Sequence, residues 1–261
     1  MPETPTEQLD NSTPAAEPIA STGTLVFNED FENGTIEGAT FVPPADRLSG
    51  IVQTEEGNSV YQITYEEDEF QRKVEWIGDS FDSLDASYRS RLIDGLPIGE
   101  NQRQWIDLKT FRVFEDSGNL GEVFTTHVDR YTPLFENQGF DHWEIVHTYG
   151  NDVEAVRIPV DGPLTDWIEF KYHMSWNTPG NDDGVLMIWH DGELVFEDHS
   201  VSWFENETLR PNGWWFGDNV SGGNAGQQIA PFRRQFDDVV VSINGEAPEP
   251  TAALRLSLIH I

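Results

Sequence analysis

The chain contains no cysteine. Disulfides, thiolate nucleophiles and zinc–sulfur centres are thereby excluded, while the redox compartment stays open, because many secreted bacterial proteins lack cysteine too. Lysine is almost as scarce: Lys73, Lys109 and Lys171 are the only three in 261 residues. With 15 basic side chains against 47 acidic ones, the formal net charge is −32. A field of that sign repels nucleic acid and anionic lipid surfaces, so neither is an expected partner. An acidic, solvated surface suits salty water, where screening shortens self-repulsion; a metal-rich surface is the sharper alternative. No apolar run reaches the roughly 18 residues a membrane helix requires. The N-terminus also lacks the basic-then-apolar profile of a signal peptide, which leaves a cytoplasmic protein or a chain whose start was cut away. No useful stretch has a 3.6-residue period, and no repeat stands out.

What is present is aromatic. Hydrophobic residues make up only 37%, but Phe, Trp and Tyr reach 12%, with 16 Phe and 9 Trp. Each ring buries a large area, so a core can be built around them. Residues 1–23 carry four prolines and many Thr, Ser and Glu, the composition of a disordered leader or linker. One folded domain is expected over residues 24–245, followed by a disordered tail over 246–261. The last six residues, Leu256 to Ile261, match the in-frame translation of a transposase adapter. They are expected to be sequencing read-through, so His260 is given no role.

Between the two ends the pattern is β. Ile168 to Trp176 alternates strictly, with Ile168, Phe170, Tyr172, Met174 and Trp176 on one face and Glu169, Lys171, His173 and Ser175 on the other. Val185 to Phe196 reads as a hairpin turning at Asp191-Gly192. Further strands are expected at Val60–Tyr65, Tyr88–Ile93, Trp105–Phe114, Trp143–Tyr149, Val153–Val160 and Phe236–Ile243. About a dozen short strands predict an all-β, two-sheet antiparallel sandwich, or jelly roll.

Three segments carry a family resemblance. They are Phe27-Asn-Glu-Asp-Phe-Glu-Asn-Gly34, then Trp167 to Trp176 with Gly184 to Val195, then Phe236-Asp-Asp-Val-Val-Val-Ser242. In order and spacing they resemble the concanavalin A-like lectin/glucanase superfamily, in particular its polysaccharide lyases of the heparin-lyase-I-like and alginate-lyase-like kinds. The resemblance implies a jelly roll that meets carbohydrate. It also implies β-elimination on a uronate polymer by Arg, His and Tyr side chains, with calcium between the first and last strands.

On this sequence, elimination needs a cation for the substrate carboxylate, a base and an acid. Arg89 and Arg91, at i and i+2 on one strand face, are candidates for the carboxylate; the alternative is that they balance nearby Asp and Glu. Tyr88-Arg-Ser-Arg-Leu92 resembles the family's R-x-E-L strand, with Arg91 standing where Glu is expected. His147 and Tyr149 are candidate base and acid, with Trp143 further along as a sugar contact. The alternative is that they form a core face with Ile145. Lys171 and His173 contact substrate if their face lines a groove, and are solvated if it does not. Of Trp176, Trp189, Trp203, Trp214 and Trp215, one or two could stack on sugar rings, with Trp189 taken as a substrate contact, while core packing is the better expectation for any single one. The glucanase string E-x-D-x-x-E is absent, which disfavours hydrolysis. A structural calcium would be held by Glu29 or Asp30 with Asp237 or Asp238. The expected activity is that of a polysaccharide lyase, with a non-catalytic carbohydrate-binding or adhesion module as the alternative. In either case the chain is expected to be monomeric and to lie outside the cytoplasm, extracellular or periplasmic.

Overall fold

In a computed structural model the described residues of the chain form fourteen strands and no helix. The structure describes residues 22–45, 48–65, 71–93, 106–116, 122–131, 142–150, 154–159, 165–204, 210–221 and 232–246. The expected leader and tail lie outside them, as do the sequence Glu-Glu-Asp-Glu over 66–69 and the glycine-rich stretch over 222–226. In chain order the strands are β1 Thr24–Glu29, β2 Ser49–Gln53, β3 Ser59–Tyr65, β4 Gln71–Ile77, β5 Ser83–Leu92, β6 Ile106–Phe114 and β7 Glu122–Tyr131. They continue as β8 His142–Tyr149, β9 Glu154–Pro159, β10 Ile168–Ser175, β11 Gly184–His190, β12 Glu193–Val201, β13 Gly213–Ser221 and β14 Phe232–Ile243.

Two antiparallel sheets result. The eight-stranded sheet runs β12-β11-β10-β5-β14-β3-β2, with β1 paired to β14; the six-stranded sheet runs β4-β13-β6-β7-β8-β9. This is the β-sandwich that the alternation predicts. Phe170, Tyr172 and Met174 of β10 face the core, as their period-two spacing requires. The β11–β12 hairpin turns through Asp191 (φ 48°) and Gly192 (φ 79°), the pair of positive φ values that a two-residue primed turn needs.

The two inner faces meet in an aromatic core. Trp214 of β13 lies against Phe27, Trp76 and Phe111. Tyr88 of β5 stacks on Phe111 and Phe170. Trp176 and Trp203 meet edge to face, with centroids 5.0 Å apart. Strand β14 pairs with β3 through its first half and with β1 through its second. The change of partner coincides with an irregularity at Asp237–Asp238, where Asp238 takes φ 50°.

Candidate functional site

The four expected catalytic residues do not form one site. Arg89 and Arg91 lie on the outer side of the eight-stranded sheet, whereas His147 and Tyr149 of β8 point from the six-stranded sheet into the core. His147 is 0% exposed and stacks on Phe124 and Tyr172. Tyr149, 5% exposed, packs against Phe196 and Trp203. Base and acid roles for this pair are therefore corrected: enclosed between two sheets, neither ring can touch a polymer. The core reading of Ile145, His147 and Tyr149 is the one the structure realises, and Trp143 of the same strand has its side chain outside the described residues.

His147 belongs instead to a buried polar chain that crosses between the sheets. Its Nε2 lies 3.2 Å from His190 Nε2, and its Nδ1 lies 3.1 Å from Thr126 Oγ1. Thr126 donates to Tyr172 Oη at 2.9 Å, Tyr172 Oη lies 3.3 Å from Tyr88 Oη, and Tyr88 Oη lies 3.1 Å from Thr110 Oγ1. Thr110 donates to the Thr126 carbonyl at 3.3 Å. Each hydroxyl has one proton, so donor counting gives the chain one direction, with His147 protonated on Nδ1 and His190 donating from Nε2. Burial holds His190 down to about 4, and it raises the phenols of Tyr88 and Tyr172. His190 and both phenols are thus neutral near pH 7, which suits a buried network.

The outer side of the eight-stranded sheet is built of closed ion pairs. Arg89 binds Asp237 at 2.8 Å and Asp238 at 3.1 Å. Arg91 donates to Gln235 Oε1 at 2.9 Å, and both guanidiniums lie over Trp167. Lys171 Nζ is 3.3 Å from Glu169, and His173 Nδ1 is 2.7 Å from Asp85. Lys171 and His173 are buried, so the expectation that an outer-face position would leave them solvated is corrected. Trp189 is half-buried opposite Lys171 in the register.

The carboxylates expected to bind calcium are also engaged elsewhere. Asp237 and Asp238 hold Arg89, and Glu29 accepts the Glu37 N–H at 2.6 Å. Burial raises Glu29 and Asp237 above the usual carboxylate range. Asp30 accepts the Glu32 N–H. Among the described residues no group of three or more His, Asp or Glu is placed to hold a metal ion.

The outer side of the six-stranded sheet differs. Register partners share a face, and here they form cross-strand rows. One row runs Gln71, Asn219, Lys109, His127, Val146, Arg157. The next runs Glu75, Trp215, Arg112, Thr125, Thr148, Ala155. Beyond the Lys109 row the register aligns Asp107, Asp129 and Glu144. Thr125, Val146 and Trp215 are buried although they are turned away from the core, so this face is a sheltered floor. The Arg112 guanidinium lies 5.5 Å from the Trp215 ring centroid, and Lys73 binds Glu75 beside them. The floor combines cations, an aromatic and hydroxyls, which can bind an anionic sugar chain.

Sequence reasoning passed over Lys109, Arg112 and His127. Their one visible signal was rarity, two of three lysines falling on strands of this sheet. Lys109 and Arg112 are three apart, an odd spacing that puts residues of a regular strand on opposite faces. Trp215, expected in the core, lies on this outer face.

Comparison with solved structures places the architecture among polysaccharide lyases. The alginate lyase Aly36B aligns with a TM-score of 0.57 at 12% identity, over 85% of this chain and 98% of that one. The endo-β-1,4-glucuronan lyase of the fungus Trichoderma reesei aligns at 0.55 and 15% identity, over 85% and 96%. The cellulose-induced protein Cip1 aligns at 0.51 and 12% identity, over 83% and 96%. This chain has the jelly-roll fold of alginate and glucuronan lyases. No family model matches it, and no curated protein matches it significantly. No helix among the described residues is long and apolar enough to cross a membrane.

Proposed function

We propose that the chain is a polysaccharide lyase that cleaves a uronate polymer by β-elimination on the outer face of its six-stranded sheet. The observation that carries this is the row pair on the sheltered floor, where Lys109, the register partner of His127, shares a face with Arg112 in a chain of net charge −32. Basic groups are scarce in this chain, and a neutral floor that gathers them suits a ligand bearing regular negative charge. The fold shared with alginate and glucuronan lyases supports the same reading.

In this scheme Arg112 neutralises the substrate carboxylate, which makes the adjacent C–H acidic. His127 removes that proton, imidazole being suited to proton transfer near neutrality. The electron pair forms the ring double bond, the glycosidic C–O bond breaks, and Lys109 delivers a proton to the leaving oxygen. Opposed residues on neighbouring strands are about 4.5–5.5 Å apart at Cα, within reach of one sugar ring.

Incubation of the chain with alginate, glucuronan, heparin and hyaluronan tests this, read by the ultraviolet absorbance of unsaturated uronate ends. A rise with one polymer that Lys109→Ala abolishes is expected. No rise with any of the four would overturn the lyase assignment. Retention on one polymer in affinity electrophoresis without cleavage would mark a binding module. The Arg112–Trp215 stack favours that second reading.

A further inference from the structure

Lys109 shares a face with Arg112 because strand β6 is irregular between them. Against β7 the register passes from Lys109–His127 directly to Phe111–Thr126, which leaves Thr110 as an extra residue. Against β13 it passes from Asn219–Lys109 to Phe216–Phe111, with Gly217 and Asp218 intervening. Both neighbours of β6 therefore break step at Thr110. Gly217 fits this break as few residues could: its φ is +136°, and an added Cβ would lie 2.4 Å from the Arg72 carbonyl.

A one-residue change of register sends every later side chain to the opposite face. Without the bulge, Lys109 would sit on the core side, beside Phe111 and under Tyr88. With it, Thr110 and Phe111 both turn inward, and Lys109 and Arg112 both turn outward. Thr110 is 1% exposed, and its hydroxyl holds the inward position by donating to the Thr126 carbonyl and facing Tyr88 Oη. The Tyr88 hydroxyl is oriented in turn through Tyr172 and Thr126, the buried chain that ends at His190. Bulges re-aim side chains beside functional sites, and this one has a hydrogen-bonded anchor.

We propose that Thr110 is a positioning residue: its buried hydroxyl, tied to Tyr88 and the Thr126 carbonyl, locks the β6 bulge that delivers Lys109 to the outer face. The kinetic consequence rests on the lyase reading above; the geometric consequence does not. The test compares the full chain with Thr110→Val, which keeps the shape but deletes the hydroxyl, and with Thr110→Ser, which restores it. Three lysines in all make the chain suited to reductive ¹³C-methylation, one NMR signal being assigned to Lys109 by its loss in Lys109→Arg.

The expected result is that Thr110→Val keeps its near-ultraviolet circular dichroism but moves the Lys109 signal, leaving those of Lys73 and Lys171 in place. On unmodified protein, kcat should fall about 10²-fold with KM little changed, the scale of an ångström-level misplacement. Thr110→Ser should return both readouts. A folded Thr110→Val with the wild-type Lys109 signal overturns the proposal, as does a moved signal with unchanged kcat in a cleaving enzyme. If the wild-type chain cleaves nothing yet the signal moves and returns, the lyase reading fails and the positioning role stands. If Thr110→Val does not fold, Tyr88→Phe removes only the hydroxyl facing Thr110 and is read by the same two measurements.

Discussion

The outer faces of the two sheets use charge in opposite ways. On the eight-stranded sheet, Arg89 lies between Asp237 and Asp238, Lys171 meets Glu169, and His173 meets Asp85. On the six-stranded sheet, the two rows through Lys109 and Arg112 contain a single carboxylate, Glu75, and Lys73 is bonded to it. Thr125, Thr148, Val146 and Trp215 are among their neighbours. Charges closed on each other strengthen a sheet but offer little to a ligand. On the six-stranded sheet Lys109 and Arg112 instead share a face with Trp215, Thr125 and Thr148, and the proposed function assigns the anionic sugar to that face.

The largest effect that would break this contrast is catalytic. Lys109→Ala and Arg112→Ala should each lower cleavage of the responsive polymer by about 10²–10⁴-fold, the usual scale for a proton-transfer or charge-neutralising group. Initial rates of unsaturated-end formation measure it. Wild-type rates in both variants would leave the six-stranded floor without a role in chemistry.

His147 sharpens the contrast between interior and surface. His147→Leu keeps the volume but leaves the His190 Nε2–H unmatched and deprives Thr126 of its donor. A loss of about 1–3 kcal/mol is expected, the cost of unsatisfied buried polar groups, read from urea unfolding. A variant of full stability that no longer cleaves would return His147 to the catalytic group and contradict its enclosure.

The sequence made the scaffold legible and obscured the site, and particular strands show why. Ile168 to Ser175 carries its core face in its alternation, and β3, β6, β8 and β9 appear within a residue or two of expectation, while β12 runs on to Val201, five residues past the expected Phe196. Strand β5 begins at Ser83, five residues earlier than Tyr88, because small residues such as Ser87 and Ala86 weaken the pattern without weakening the pairing. Strand β13 was missed because Trp214, Trp215 and Phe216 are all buried, on two different faces, and so show no alternation. The site was obscured for related reasons. His147 and Tyr149 share a face, as their spacing says, but periodicity cannot tell an inner face from an outer one. Lys109 and Arg112 share a face only through a bulge, and a bulge leaves no mark in a period-two count.

The pH dependence of stability probes the buried chain at smaller amplitude. His190 is held down to about 4 in the folded protein by desolvation, against 6.5 for the free side chain. Above pH 6.5 it is neutral in both states and its contribution is fully present. As the pH falls from 6.5 toward 4 the unfolded chain alone takes up the proton, so stability declines by up to about 1.4 kcal/mol per pH unit. Glu29 and Asp237, both raised, act with the opposite sign, so the measured quantity is the difference between wild type and His190→Phe. That difference should grow in favour of the variant as urea midpoints are taken from pH 7 to pH 5. A constant difference would mean that His190 is solvated in the folded state.

The smallest expected effect belongs to Arg89, and it decides whether the two faces differ at all. Its side chain is partly exposed, so the Arg89→Ala change should cost about 1 kcal/mol or less at pH 7 and leave cleavage unchanged. The cost should also depend on pH in a defined direction. Burial and the neighbouring Asp238 carboxylate raise Asp237, while Arg89 opposes them. Without the guanidinium, Asp237 rises further, and a carboxyl with a raised folded pKa contributes stability at low pH that is lost as pH rises through that value. The Arg89→Ala deficit should therefore shrink as the pH is lowered from 7 toward the carboxylate range. A stable Arg89→Ala variant that no longer cleaves would move the functional face to the eight-stranded sheet, because the pair with Asp237 would then be doing chemistry that closed ion pairs do not do.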